Sequence, residues 1–416
     1  MARAGVDAVS ARRVIDRALD SQVKDLISGR RHVIAVGKAA AAMTAAFLDV
    51  PHLRAEQVLA IGTHAHAPLP ASVEWIESSH PFPDARSEAA AERALAIAEG
   101  VHSGDVLILL ISGGASSLMA APLDGLTLGD KIAATRLMMN AGADIHALNT
   151  VRRHLSKVKG GRLAAACVGT TITLAISDVV GDDLNAIGSG PGVPDATTWA
   201  DAAAALKRFG GDGHSTAVRA VVERGLSGEL PDTPKRGDRS IARSQALVIG
   251  SRADAMAGAR QAALQRGYHP IVMPDPVIGE ARDAAPMWLE QVQARIAGAQ
   301  RPACVISSGE TTVRVTGKGT GGRNLEFALA LAERIAQMPS CALASIGTDG
   351  IDGSSGVAGG IVDSTTMSRA VASGLESPAS YLSANDSFGF FAPLGDVVRL
   401  GRTDTNVGDL QVLLID

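Results

Sequence analysis

The stretch DVLILLISGGASSLM, residues 105–119, decides the fold class. Residues 106–111 are apolar without interruption. A strand with one wet face would alternate polar and apolar positions, so this strand is covered on both faces, as strands of parallel sheets are. It ends in SGGASS, a glycine-rich passage into a helix. Working outward, the same grammar repeats. RHVIAVG (31–37) reads as a strand and KAAAAMTAAFLDV (38–50) as the helix after it. EQVLAIG (56–62) and VEWIES (73–78) read as strands. DARSEAAAERALAIAEG (84–100) reads as a helix that Gly100 ends, and TTITLAIS (170–177) as a second doubly covered strand. The alternation predicts a Rossmann-like, mostly parallel sheet with helices on both sides.

Near 225–243 the apolar periodicity stops, and Pro, Gly and charges dominate. This marks a domain boundary and gives two α/β domains, 1–235 and 240–416. After it, QALVIGS (245–251), a helix over 252–266 and HPIVMP (269–274) begin the second unit. Strands follow at ACVIS (303–307), TTVRVT (311–316) and CALASIG (341–347). TTVRVT alternates, which predicts a half-exposed, antiparallel strand and a mixed second sheet. The active site is expected in the cleft between the two domains.

The chain has 416 residues, 46% hydrophobic and only 3% aromatic, enough for two aliphatic cores. Lys plus Arg is 39 and Asp plus Glu 43, a net charge of −4 with no long single-sign run. That excludes the basic face a nucleic-acid partner requires. Cys167, Cys304 and Cys341 are far apart and set among apolar residues. They read as buried thiols of a reducing, cytoplasmic compartment rather than a disulfide or zinc framework. The N-terminus lacks the apolar core of a signal peptide, and no apolar run reaches the ~18 residues of a membrane span. Monomer and homodimer both remain open.

Chemistry concentrates where strands end in glycine. Gly37 and Lys38 stand at the first strand-to-helix junction, where a lysine meets an anion beside free N–H groups. Ser112, Gly113, Gly114, Ser116 and Ser117 suit an oxyanion cradle, and a serine-capped tight turn fits equally. Asp178 follows the 170–177 strand, ahead of Asp182, Asp183 and the Gly188, Gly190, Gly192 loop; a carboxylate there suits Mg²⁺ ligation or general-base work. Glu310 sits in a turn, and Arg323 and Asn324 open a helix after Gly317, Gly319, Gly321 and Gly322. Asp349 and Asp352 follow another strand, where metal ligation and Asp-Gly turns compete. The GxGxxG formed by 317–322 lacks an acid about 20 residues on, where a ribose would be held. His64, His66 and His80 fall in loops, His102 and His214 read as exposed, and no Walker motif occurs.

These passages resemble one family almost end to end. VGKAAAAM (36–43), the long block at 110–164, SDVVGDDLNAIGSGP (177–191), GETTVRV (309–315), GKGTGGRNLEFAL (317–329) and GTDGIDGSSGVAGGIVD (347–363) are similar to the class II glycerate 2-kinases. Members pair a glycerate-kinase N-terminal domain with a MOFRL-type C-terminal domain. The resemblance implies transfer of the γ-phosphate of ATP to the 2-hydroxyl of D-glycerate, with Mg²⁺ or another divalent cation. It implies Lys38 and Arg323 as active-site cations and maps the family's aspartate onto Asp178. Ser112, Gly113, Gly114, Ser116, Glu310 and Asn324 are the expected substrate and nucleotide contacts. Asp178, Glu310 and Asp349 are the expected metal ligands. Ser308 before Gly309-Glu310, and RTDTNVGDL at 402–410, depart from the family pattern. An NAD(P)H-dependent hydroxypyruvate reductase is the alternative, resting on the GxGxxG alone. A non-catalytic sensor is a further rival, and Asp178, Glu310, Asp349 and Arg323 together argue against it.

Overall fold

The computed structural model describes every residue except 21, 22, 24, 25, 52, 66, 67 and 339, so His66 lies outside the described residues. Contacts divide the chain into an N-terminal unit, Val14–Ile249, and a C-terminal unit, Met1–Arg13 with Gly250–Asp416.

In the N-terminal unit, β1 (Arg31–Val36), β2 (Gln57–Gly62), β3 (Val73–Glu77), β4 (Val106–Ile111), β5 (Thr170–Ile176) and β6 (Ser244–Gly250) form one sheet. Its order is β3-β2-β1-β4-β5-β6, and the pairings from β3 to β5 are parallel. All six residues of β4 are buried, which is why that run shows no alternation. Leu107, Leu109 and Ile111 pack with Ile34, Leu59 and the Ala90–Ala94–Ile97 face of the helix Ala85–Glu99. A second core is wholly helical. Met138, Leu148, Val151, Trp199, Leu206 and Val221 join helices Leu128–Asn140, Ile145–His154, Trp199–Arg208 and Thr216–Leu226. His214, read as exposed, is buried here, with its Nε2 3.1 Å from the Leu206 carbonyl.

The C-terminal unit carries a mixed sheet. It comprises β7 (His269–Val272), β8 (Val277–Glu280), β9 (Ala303–Thr312), β10 (Cys341–Gly347), β11 (Gly359–Asp363), β12 (Val397–Val398) and β13 (Asp409–Ile415). The order is β12-β11-β10-β13-β9-β7, and β8 pairs with the far end of β9. Strands β9 and β13 bury apolar residues on both faces. Val305 and Leu413 face one core, while Cys304, Ile306, Leu410 and Val412 face another.

Three expectations are corrected. QALVIGS does not begin the second unit, because β6 completes the first sheet beside β5. TTVRVT is not a separate antiparallel strand: Thr311 and Thr312 end β9, pairing in parallel with β8, and 313–316 have no strand partner. The first residues belong to the C-terminal unit. The helix Ala2–Ala8 lies on the helix Arg252–Leu264 at a small-residue contact, where a Cβ on Gly258 would stand 2.5 Å from Ala8 Cβ and 2.7 Å from the Ala4 carbonyl oxygen. Thr405 Oγ1 also donates to the Val9 carbonyl at 2.7 Å.

Because that contact leaves no room for a side chain, Gly258→Val should lower stability by about 1–3 kcal/mol. Urea denaturation checks this, and an unchanged midpoint would rule out the close helix pair.

Candidate active site

Each unit gathers polar residues at one end of its sheet. In the N-terminal unit the strand order reverses between β1 and β4, and ligands of open α/β sheets bind beyond the carboxyl ends of strands at such a reversal. The two turns that leave these strands are locked together. Ser112 N–H donates to the Val36 carbonyl (3.0 Å), Lys38 N–H to the Gly113 carbonyl (2.9 Å) and Ala39 N–H to Ser112 Oγ (3.0 Å). Gly37 has φ +133°, and a Cβ there would lie 2.1 Å from Ser112 Oγ, so only glycine fits. Lys38 therefore stands exposed just ahead of the helix Ala40–Leu48, whose own cap offers no side-chain hydrogen bond.

Ser112 is fully buried, and its hydroxyl serves the Ala39 N–H. It braces the turn from behind by this bond. Gly113 is buried and Gly114 half-buried. Ser116 Oγ lies 2.9 Å from Ser189 Oγ, which donates to Asn149 Oδ1 at 3.1 Å. Lys159, 2% exposed, sits underneath. Its ammonium donates to the Ser116 carbonyl (2.6 Å), Ser116 Oγ (3.1 Å) and the Met119 carbonyl (3.2 Å). Ser189 holds a left-handed φ of +61°, a conformation non-glycine residues keep only when their surroundings enforce it. Asp178 is half-buried two residues past β5, at the same sheet end as Lys38.

His80, set aside as a loop residue, stands at this turn. A Cβ on Gly114 would be 3.1 Å from His80 Cδ2 and 3.5 Å from Lys38 Cγ. Enclosure by the surrounding protein, reinforced by the Lys38 charge, holds the imidazole below its ordinary pKa. His80 is therefore neutral near pH 7.

In the C-terminal unit the centre is Asp409, fully buried at the start of β13. Its carboxylate accepts from Arg323 Nε (2.8 and 3.0 Å), Asn324 Nδ2 (2.8 Å) and Thr311 N–H (3.1 Å). Arg323 also places Nη1 3.8 Å from Oε1 of Glu310, which lies within β9 rather than in the expected turn. Burial alone would lower the guanidinium pKa, but Asp409 and then Glu310 more than offset it and hold Arg323 above its usual value. Asn324 is buried and ties Asp409, Asp352 and Ser345 together. Asp349 accepts from the Ile351 N–H in a tight turn after β10. Arg323 and Glu310 line a pocket of about 710 Å³, with Val313, Val315, Glu326 and Asn385.

The glycine run does not serve the purpose its pattern suggests. Asp352 accepts from the N–H groups of Asn324 (3.0 Å) and Leu325 (2.8 Å), so the start of the helix Arg323–Ala336 is already capped by a carboxylate. Burial first, and Asp409 less, push the Asp352 carboxyl up to about 6. Gly317 N–H donates to Asn385 Oδ1, Gly319 N–H to the Ala384 carbonyl and Thr320 N–H to Asp386 Oδ1. A Cβ on Gly322 would meet Asp352 at 2.3 Å. These glycines allow close backbone packing, and the N–H groups of Gly317, Gly319 and Gly321 are spent on protein.

No group of three His, Cys, Asp or Glu residues able to hold a metal occurs among the described residues. No helix among them is long and apolar enough to cross a membrane. All three cysteines are free and buried.

Two α/β units with glycine-bearing turns at their strand ends are what the chain presents. Two family models match: a domain of unknown function (DUF4147) over residues 1–223 and the MOFRL family over 303–409. The chain is 36% identical to the glycerate 2-kinase of Pyrococcus horikoshii, over 98% of this chain and 92% of that one. It is 34% identical to the D-glycerate 2-kinase of Thermotoga maritima, over 96% and 94%. The crystal structure of glycerate kinase from Thermotoga maritima superposes with a TM-score of 0.89, at 33% identity, over 100% of this chain and 97% of that one. An Agrobacterium vitis protein provisionally named hydroxypyruvate reductase is 38% identical over 98% of this chain and 95% of its own. The chain belongs to the class II glycerate kinase family.

Removing Arg323 would strand a fully buried carboxylate. Arg323→Ala should therefore cost about 3 kcal/mol or more of stability. A denaturation midpoint within error of the parent would show that Asp409 does not depend on it.

Proposed function

We propose that this protein is a glycerate 2-kinase, transferring the γ-phosphate of ATP to the 2-hydroxyl of D-glycerate to give 2-phosphoglycerate and ADP. The observation that carries the reading is the near-complete match, over both units, to relatives named glycerate 2-kinase. The turn geometry agrees with it, since phosphoryl transfer asks chiefly for charge neutralisation and positioning.

The hydroxyl oxygen attacks the γ-phosphorus, the bond to the β–γ bridging oxygen breaks and ADP leaves. Lys38, exposed at the strand reversal, neutralises phosphoryl or carboxylate oxygens. Asp178 takes the hydroxyl proton. Gly113, Gly114 and Ser116 line the turn that receives an oxyanion. Arg323 presents its remaining Nη groups to the pocket while Asp409 fixes its plane, so the fork is preset. Isolated carboxylates, rather than a cluster, suit Mg²⁺, which keeps waters and phosphate oxygens and takes one or two protein ligands. Glu310 and Asp349 are the residues that would hold it, which leaves Asp178 as the base; bound, it would offset the charge of the transferring phosphate. The buried thiols accord with a cytoplasmic enzyme.

Reductase chemistry has less support. A dinucleotide pyrophosphate needs the helix N-terminus after its glycine run, and Asp352 occupies that position.

Two assays on the purified chain separate the readings. ADP release with D-glycerate is expected, and NADH oxidation with hydroxypyruvate is not; the reverse pattern would contradict the proposal. Lys38→Ala should lower turnover by at least a hundredfold with a nearly unchanged Tm, because exposed lysines contribute little stability. Near-normal turnover would remove Lys38 from the chemistry.

A further inference from the structure

The N-terminal unit holds a group of cations that no ion pair neutralises among the described residues. Lys131, on the helix Leu128–Asn140, is 7% exposed, and its ammonium nitrogen is fully buried with no hydrogen-bond partner. Lys159, 2% exposed, bonds only neutral oxygens, those of Ser116 and Met119. Arg152, on the adjacent helix Ile145–His154, is half-buried and forms the outer side of the group. The three are mutually within electrostatic reach: Lys159 experiences the charges of Lys131 and Arg152, and Lys131 that of Arg152. Glu88 is the carboxylate whose charge reaches Lys131, and no ion pair joins them. No ion pair involving Lys131, Arg152 or Lys159 occurs among the described residues.

Charged groups are rarely buried without a partner, since desolvation penalises each ion and like charges add to it. Two arrangements relieve the cost. Either the lysines give up their protons, or an anion enters. Two features favour the anion. The group contains a guanidinium, which does not deprotonate. Lys131 has a donor head with no acceptor, the condition an oxyanion satisfies.

We infer that Lys131, Arg152 and Lys159 form an anion site beside the Ser112–Met119 loop, filled by the carboxylate or phosphate group of a small ligand. This inference does not rest on the kinase reading, because it concerns binding alone. It also gives Lys159 a second purpose: an anion held there fixes the ammonium that supports Ser116, and so couples occupancy to the shape of the turn carrying Gly113 and Gly114.

The test follows Tm of the full chain at constant ionic strength in chloride, inorganic phosphate and D-glycerate, for the parent, Lys131→Met and Lys38→Ala. Phosphate or D-glycerate should raise Tm in the parent and in Lys38→Ala, with the apparent affinity at least tenfold weaker in Lys131→Met. The more effective anion tells phosphate from carboxylate recognition. Without anion, Lys131→Met should be at least as stable as the parent, because it removes an unpaired buried charge. No response of the parent to either anion overturns the site. So does an equal response in Lys131→Met, or one abolished by Lys38→Ala and kept in Lys131→Met. Should Lys131→Met fail to fold, Arg152→Gln on the outer side carries the same expectation, and an undiminished response there overturns the inference.

Discussion

The reversal of strand order between β1 and β4 is the constraint on which the N-terminal unit depends. Two chains leave adjacent parallel strands in the same direction and must part at once toward different helices. They do so by bonding to each other, through Ser112 to Val36 and Ala39, and through Lys38 to Gly113. No side chain fits between them at Gly37. Backbone groups that would otherwise be orphaned at a helix start are satisfied from the neighbouring turn. What stays outside is Lys38 with His80 against it, a cation beside a neutral imidazole at the carboxyl end of the sheet. The C-terminal unit solves a parallel problem with charge. Asp409 is buried at the start of β13, and Arg323, Asn324 and Thr311 arrange themselves around it.

The first sheet was legible because burial on both faces leaves a sequence record. The runs at 31–37, 56–62, 105–112 and 170–177 all became parallel strands. The misreadings share a cause, which is that long-range pairing leaves no local trace. QALVIGS reads as a strand, but nothing in it names β5 as its neighbour. TTVRVT alternates in sequence, but only its first two residues pair with β8, and Val315 is exposed. The N-terminal helix shows no sign of its partner beyond small residues at Gly5 and Ala8, matched by Gly258 some 250 positions later.

The site was legible where chemistry coincides with a strand end. Lys38, Asp178 and the 112–117 turn fall at one end of the first sheet, as their positions after strands required. Residues that act from below were not legible. Lys159 lies in a run, SKVKGGRLA, that reads as an ordinary basic loop, and only the fold carries its ammonium beneath Ser116. Asp409 lay inside a segment marked merely as divergent, though an acid opening a terminal apolar strand was a usable signal. The glycines at 317–322 misled in the other direction. Their pattern suggested phosphate, while their neighbours at Ala384, Asp386 and Asp352 show that the need was close packing.

The central claim, phosphorylation of glycerate at its second carbon, is tested most directly by identifying the product. The purified chain, supplied with D-glycerate, ATP and Mg²⁺, would be followed by phosphorus NMR against authentic 2- and 3-phosphoglycerate. The account predicts a single new resonance, that of 2-phosphoglycerate, growing in step with ADP. The 3-isomer, or ADP formed with no phosphoglycerate at all, would contradict it.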